Sequence, residues 1–270
     1  MQSIVITGAS SGIGKATAKY FAEKGWKVAA TMRTPSKETE LTEIENVSIY
    51  QLDVTDLDSI NNAAEQIVSD LGTVDVLLNN AGYGLMGPFE LASREQIKRQ
   101  FDTNVFGLMD VTRAFLPHMR ANKSGMILNV SSIGGRITFP LISLYHSTKW
   151  AVEGFSESLS YELKPHGIQV KIIEPGGVST DFGGRSMDMA QSEEITDYNE
   201  TVATFMGNMQ QVSSGSSTPE YQAEGIYTAV TDGKEQLRYL IGEDAVQMYA
   251  SRQENGDDAF IAGMTAQMLS

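Results

Sequence analysis

No cysteine occurs among the 270 residues, which excludes disulfides, thiolate metal ligands and thiol catalysis and fits a reducing compartment. Histidine is scarce as well: His118, His146 and His166 show no metal-ligand spacing, so no metal is expected. Basic residues are outnumbered, 20 Lys+Arg against 34 Asp+Glu for a formal net charge of -14. That balance repels nucleic acid and anionic membrane and favours solubility. No apolar run approaches the roughly 18 residues of a membrane span, and no basic leader precedes an apolar segment. A cytoplasmic protein without a membrane span and without a nucleic-acid partner is the expectation. Linkers, charge blocks and internal repeats are also missing, so residues 1–270 are read as one domain.

What is present is an alternation of short apolar runs and longer amphipathic ones. Ser3 to Thr7 reads as a strand, and Ala16 to Ala22 as a helix that stops at Gly25. Further strands are expected at Lys27 to Met32, Val47 to Leu52, Val74 to Leu78, Met126 to Val130, Gln169 to Ile173 and Leu237 to Ile241. Between them lie a polar helix around Leu41 and Ile44, and helices at Leu57 to Leu71, Ser93 to Arg120 and Tyr145 to Leu163. Strands alternating with helices imply right-handed parallel crossovers: an α/β fold with a doubly wound parallel sheet and helices on both faces. Its chemistry belongs at the carboxyl ends of the strands. The segment of about 180–217 is polar, glycine-dotted and rich in methionine, and is read as helices and loop covering a substrate cleft. Phe260 to Leu269 is read as a docked tail.

Thr7-Gly8-Ala9-Ser10-Ser11-Gly12-Ile13-Gly14 follows the first strand and opens the first helix. Small residues there let the backbone turn sharply and let a pyrophosphate approach the helix amides. The spacing is T-G-x-x-x-G-x-G, and further elements follow in order. They are Asp53, Asn79-Asn80-Ala81-Gly82, Asn104, Ser132, Tyr145, Lys149 and Pro175-Gly176-Gly177-Val178-Ser179-Thr180. Over about residues 1 to 182 this ordered set resembles the short-chain dehydrogenase/reductase family. The wording around Asn79 to Phe89 and Glu174 to Phe182 is most similar to its steroid and retinol dehydrogenase branch.

The resemblance implies a Rossmann-type nicotinamide dinucleotide enzyme. Gly8, Ser10, Ser11, Gly12, Ile13 and Gly14 would line the pyrophosphate and adenosine ribose; Asp53 and Val54 would meet the adenine; Asn80, Ala81 and Gly82 would support the adenine-side ribose. Pro175, Gly176, Val178 and Thr180 would hold the nicotinamide. An acid at the end of the second strand would select NAD, but the chain there reads Ala30-Thr31-Met32-Arg33-Thr34. With that acid missing and Arg33 in place, NADP(H) is the preferred cofactor and NAD(H) stays admissible.

On a helix, residues i and i+4 share a face, so Tyr145 and Lys149 point into one cleft. An ammonium beside the phenol, together with the nicotinamide ring, is expected to lower the tyrosine below its usual value near 10. By the resemblance, Tyr145 is the acid/base and Lys149 also binds the nicotinamide ribose. Ser132 would polarise the substrate oxygen, with Ser131 as the competing assignment, and Asn104 would hold a water on a relay to the lysine. The reaction expected is interconversion of a carbonyl and an alcohol. Met86, Phe89, Phe139, Leu141, Ile142, Leu144 and Phe182 suit an apolar substrate. The alternative is a dinucleotide-sensing regulator without turnover; such sensors typically lack the tyrosine or the lysine. The family commonly forms dimers or tetramers through the helices near 93 to 120 and 145 to 163, so a homodimer or homotetramer is expected.

Overall fold

The computed structural model describes residues 1–179, 187–212 and 216–270, with backbone only at 210–212. Seven parallel strands form the main sheet in the order β3-β2-β1-β4-β6-β7-β9. They are β1 (Ser3–Ile6), β2 (Lys27–Met32), β3 (Val47–Gln51), β4 (Val76–Asn79), β6 (Gly125–Val130), β7 (Ile168–Pro175) and β9 (Arg238–Ile241). A short parallel pair, β5 (Gly84–Met86) and β8 (Met187–Met189), stands apart. β1 and β4 are buried along their whole length, as expected of parallel strands covered on both faces.

Helix α1 (Gly12–Glu23) and helix α7 (Pro219–Thr231) cover one face, packing Phe21, Ala22, Ile226 and Ala229 against β1, β2 and β4. On the other face lie α2 (Leu57–Leu71), α4 (Gly107–Asn122) and α5 (Ser143–Leu163), which bury Ile60, Ile67, Val111, Phe115 and Leu159. The chain winds outward from β1 to β3, then returns to place β4 on the other side of β1. That reversal opens a crevice between the carboxyl ends of β1 and β4, the place where open α/β sheets bind ligands.

Three expectations change. The polar helix near Leu41 is reduced to 3-10 turns at Pro35–Lys37 and Leu41–Glu43, because the Glu38 carboxylate accepts the Glu40 and Leu41 amides at 2.9 and 3.0 Å. The long helix from Ser93 is divided into α3 (Arg94–Phe101) and α4 by a π-helical turn at Asp102–Phe106. The C-terminal region holds more helix than expected: besides α6 (Asn199–Val212), within the segment read as helices and loop, and α9 (Asp257–Leu269), where a docked tail was expected, it adds α7 and α8 (Glu243–Asn255). Helix α7 carries a readable start signal, Thr218 accepting from the Tyr221 amide with Pro219 at the first position. Its buried stripe includes Ala223 and Ala229, too small to stand out as hydrophobic periodicity.

Candidate active site

The glycine-rich turn and the turn after β4 are knitted together across the crevice. Thr7 Oγ1 accepts from the Asn80 and Ala81 amides at 3.0 Å each, and Asn80 Nδ2 donates to the Thr7 and Gly8 carbonyls at 2.9 and 3.2 Å. Gly8 has φ +69°, and a Cβ on it would lie 2.9 Å from Ala81 Cα. A Cβ on Gly14 would lie 2.5 Å from both Asn80 Nδ2 and the Gly8 carbonyl oxygen. Only glycine fits at these two positions, so the loop stays flat enough for a ligand backbone to approach. Ser11 caps α1 without a side-chain capping bond, and no acid occupies the first turn. The first amides of α1 therefore remain available to an anion, with the helix dipole favouring one. This cradle fits a pyrophosphate.

Arg33 is exposed at the end of β2 and has no ion pair among the described residues. The nearby acids are engaged elsewhere: Glu38 and Glu40 pair with Lys15 at 3.1 and 2.6 Å. Asp53 Oδ1 accepts from the Thr55 amide and hydroxyl at 2.9 and 2.8 Å, and Val54 packs against Gly107 at the start of α4. At the far end, the Gly176 amide donates to the Ile241 carbonyl at 3.0 Å, and Val178 bridges Ser217 in parallel. Thr180 and Phe182 lie outside the described residues.

Ser132 lies just beyond β6 and caps a short turn, its Oγ accepting from the Gly134 amide at 3.0 Å and sharing a hydrogen bond with the Tyr145 phenol. Ser131, the competing hydroxyl, is buried on the other side against Gly135. Tyr145 sits in the first turn of α5, and Lys149 one turn on has its Nζ 5.5 Å from the tyrosine ring centroid. Lys149 is buried and donates to the Val130 carbonyl at 2.9 Å. Burial lowers its amine to about 8, with the Glu153 carboxylate acting the other way.

The phenol differs from the expected direction: burial pushes Tyr145 up from its usual value, opposed by the Ser132 hydrogen bond. Desolvation of the phenolate outweighs the stabilisation that the protein's own groups provide. A protonated phenol near neutrality is equipped to donate.

Asn104 is buried within the π-helical turn. Its Oδ1 accepts from the Tyr83 amide at 3.1 Å, while Nδ2 donates to the Tyr83 carbonyl at 2.9 Å and Thr148 Oγ1 at 3.2 Å. It thus ties the loop after Gly82 to the residue preceding Lys149. π-helical turns recur at functional sites because the widened ladder re-aims side chains.

Several supporting roles escaped sequence reasoning. Asn79 Nδ2 donates to Thr112 Oγ1 and Asn129 Oδ1, each at 2.9 Å, and Asn129 Nδ2 donates to Ser156 Oγ at 2.8 Å. This buried polar ladder sets α4 and α5 against β4 and β6. His146 accepts from the Phe139 amide at Nε2 and pairs Nδ1 with the Gly134 carbonyl, at 2.9 and 2.8 Å, so it braces the turn that follows Ser132. Leu141 adopts φ +59° just before α5, and its carbonyl accepts from the Gly87 amide at 2.7 Å. A leucine in the left-handed region is strained and is held here by the surrounding contacts.

Above Tyr145 lies an apolar cluster. Met86, Ile142, Phe205 and Met268 form its buried core, with Phe139, Leu141, Met187, Met189, Met209 and Met264 packed around them. Met86, Phe139, Leu141 and Ile142 were expected here. Phe89 is instead 63% exposed, and Leu144 does not join the cluster. Met209 of α6, from the methionine-rich segment expected over the cleft, and Met264 and Met268 of α9, which had no such signal, complete it.

A dinucleotide crevice with a Ser, Tyr and Lys at its mouth defines a nicotinamide-dependent oxidoreductase of the Rossmann type. The short chain dehydrogenase family model matches residues 2–191, and the chain belongs to that family. It is 43% identical over 202 residues to the 3-ketodihydrosphingosine reductase of Bacteroides thetaiotaomicron, covering 75% of this chain and 72% of that protein. It is 34% identical to human 17-beta-hydroxysteroid dehydrogenase type 1, over 89% of this chain and 77% of the other. A short-chain dehydrogenase from Streptomyces avermitilis superposes with a TM-score of 0.86 at 35% identity, covering 98% and 95% of the two chains. ElxO with NADP bound gives a TM-score of 0.75 at 29% identity, covering 93% and 99%. The chain is a NAD(P)-dependent dehydrogenase/reductase with a nicotinamide dinucleotide as its cofactor.

Proposed function

We propose that this chain is an NADP(H)-preferring oxidoreductase that interconverts an apolar ketone or aldehyde and its alcohol, with Tyr145 as the acid/base. The observation that carries this reading is the Ser132–Tyr145 hydroxyl pair, set beside the Lys149 amine at the mouth of a methionine-rich apolar cluster. The dinucleotide, when bound, supplies or takes up the hydride. Tyr145 gives its proton to the substrate oxygen in reduction and recovers it in oxidation. Ser132 donates to that oxygen as charge develops on it. Lys149 stabilises the phenolate left behind and binds the cofactor's nicotinamide-side ribose, while Asn104 holds the Tyr83 loop and the relay side of the lysine in position.

Gly8, Ser10, Ser11, Gly12, Ile13, Gly14, Asp53, Val54, Asn80, Ala81 and Gly82 make up the adenosine and pyrophosphate side. Pro175, Gly176, Val178 and Thr180 take the nicotinamide. Preference for NADP(H) is supported by the absence of an acid at the end of β2 and by Arg33, exposed and available to a 2′-phosphate. Relatives named for a ketosphingoid base and for steroids, together with the methionine-rich cluster, support an apolar substrate. Residues 1–270 act as one domain in the cytoplasm, the segment of about 180–217, of which 180–186 and 213–215 lie outside the described residues, covers the substrate, and copies pair as a dimer or tetramer through the helices near 93–120 and 145–163, where Phe106, Trp150 and Tyr161 are exposed.

The test is oxidation of NADPH and NADH across a panel of apolar ketones, aldehydes and quinones. Tyr145→Phe should cut turnover about 10³-fold while leaving NADPH affinity unchanged. Arg33→Ala should shrink the NADPH-over-NADH preference roughly tenfold. Full turnover by Tyr145→Phe would remove the mechanism. NADPH binding without turnover on any compound would instead make the chain a dinucleotide sensor.

A further inference from the structure

One carboxylate ties the end of β7 to the C-terminal helices. Asp244 lies in the first turn of α8, where the helix dipole favours a negative charge. It does not cap its own helix: Gly242 is the N-cap, and no side-chain capping bond is made there. Asp244 instead reaches across to the loop that follows β7, and its Oδ2 accepts from the Gly177 amide at 2.6 Å. Its Oδ1 is buried, with no hydrogen-bond partner among the described residues. That oxygen sits in a notch between two glycines. A Cβ on Gly176 would collide with the carboxylate, and a Cβ on Gly242, whose φ is +123°, would lie 2.5 Å from Oδ1.

The opposite side of the same loop is held by the start of α7. The Ser217 amide and hydroxyl donate to the Gly177 carbonyl at 2.9 and 3.1 Å, and Gln222 Nε2 in turn donates to Ser217 Oγ at 2.8 Å. Both polar groups of the Gly177 backbone are therefore used, one by Asp244 of α8 and the other by Ser217, which immediately precedes the α7 cap Thr218. A carboxylate oxygen left unpaired in a buried notch is costly. The contact that offsets this cost is the charge-assisted bond fixing the Gly177 amide.

We propose that Asp244 is a positioning residue that sets the Gly176–Gly177–Val178 backbone for the nicotinamide end of the cofactor. The inference rests on the reading that Pro175 to Val178 hold the nicotinamide. Through Asp244 the C-terminal helices reach the reacting end of the dinucleotide, far in sequence from the glycine-rich turn.

The experiment uses the full chain with two ligands: NADPH, whose nicotinamide emission at saturation reports one end, and 2′-phospho-ADP-ribose, which lacks nicotinamide and reports the other. Asp244→Ala is expected to lose most of the emission enhancement of bound NADPH and to lower kcat roughly tenfold, while 2′-phospho-ADP-ribose affinity stays unchanged. Asp244→Asn keeps an oxygen for the Gly177 amide and should restore most of both signals. Gly176→Ala should reproduce the Asp244→Ala phenotype by pushing the carboxylate away. If wild type enhances the emission and Asp244→Ala retains that enhancement, the assignment of Asp244 is overturned. Loss of both ligands in Asp244→Ala and Gly176→Ala alike would make the contact one of general folding and would also overturn it. If wild-type protein binds NADPH with no change in nicotinamide emission, the reading of the loop itself fails.

Discussion

The half of the chain that ends at Pro175 and the helices that follow it are held together by different chemistry. In the first half, the side chains around Tyr145 and Lys149 stand on a hydrogen-bonded ladder, Thr112 to Asn79 to Asn129 to Ser156, with every step between 2.8 and 2.9 Å. Over the cleft, α6 and α9 meet it through Phe205, Met209, Met264 and Met268, which have no fixed hydrogen-bond geometry to satisfy. Proton transfer fails when reacting atoms are misplaced by about an ångström, so its frame is built from directional bonds. A surface that accommodates an apolar molecule needs contact without fixed shape, which flexible thioethers provide.

This contrast can be broken most severely at the ladder. Asn129 is fully buried, and Asn129→Ala would leave Asn79 and Ser156 each short of a partner at the junction of β4, β6 and α5. A stability loss of about 2–3 kcal/mol is expected from urea unfolding, with turnover falling as α5 shifts. A loss too small to measure would mean that the ladder does not hold the frame.

Met268→Ala in α9 should cost less, about 1–2 kcal/mol, because neighbouring methionines can move into the space. Its sharper effect should be a several-fold rise in KM for apolar substrates with kcat retained. A fall in kcat with KM unchanged would show that the helices over the cleft take part in the rigid frame.

The comparison is sharpened further by a pH dependence of stability at Glu174, the residue that precedes Pro175. Burial, and then the neighbouring Glu153 carboxylate, push Glu174 up to about 7, against the pull of Arg136, which pairs with it at 3.0 Å. Arg238 is also present, 3.5 Å from Glu174 and 2.9 Å from Glu153. A carboxyl raised on folding binds more protons in the native state, so its contribution is complete below the ordinary carboxylate value and is lost as pH rises through about 7. Urea midpoints measured at pH values on either side of that window should fall toward the alkaline side in wild type and flatten in Glu174→Gln. An equal slope in both proteins would remove Glu174 as the source.

Much of the first half was legible because its signals are local. The edges of β2 and α2 follow from runs of apolar residues and turn signals, and the glycine-rich turn, Tyr145 and Lys149 from spacing along one strand-turn-helix or one helix face. The π-helical turn at Asp102–Phe106 was not legible, because it depends on Asn104 meeting Tyr83 and Thr148, contacts made across the fold. The direction of the Tyr145 shift was hidden for the same reason: charge neighbours can be guessed from i and i+4 spacing, but desolvation depends on what closes over the ring.

By itself, then, the sequence determined the parallel α/β sheet, the placement of its chemistry at the carboxyl ends of the strands and the chemical types of the residues gathered there. Periodicity and turn chemistry act over a few residues and are written in order along the chain. Tertiary structure decided which hydroxyl, Ser132 or Ser131, meets Tyr145, which methionines close over the cleft, and that Asp244, 67 residues from Gly177, takes its amide. Those outcomes depend on packing between segments distant in sequence, where a side chain's partner is set by the three-dimensional path of the backbone and by what each burial costs.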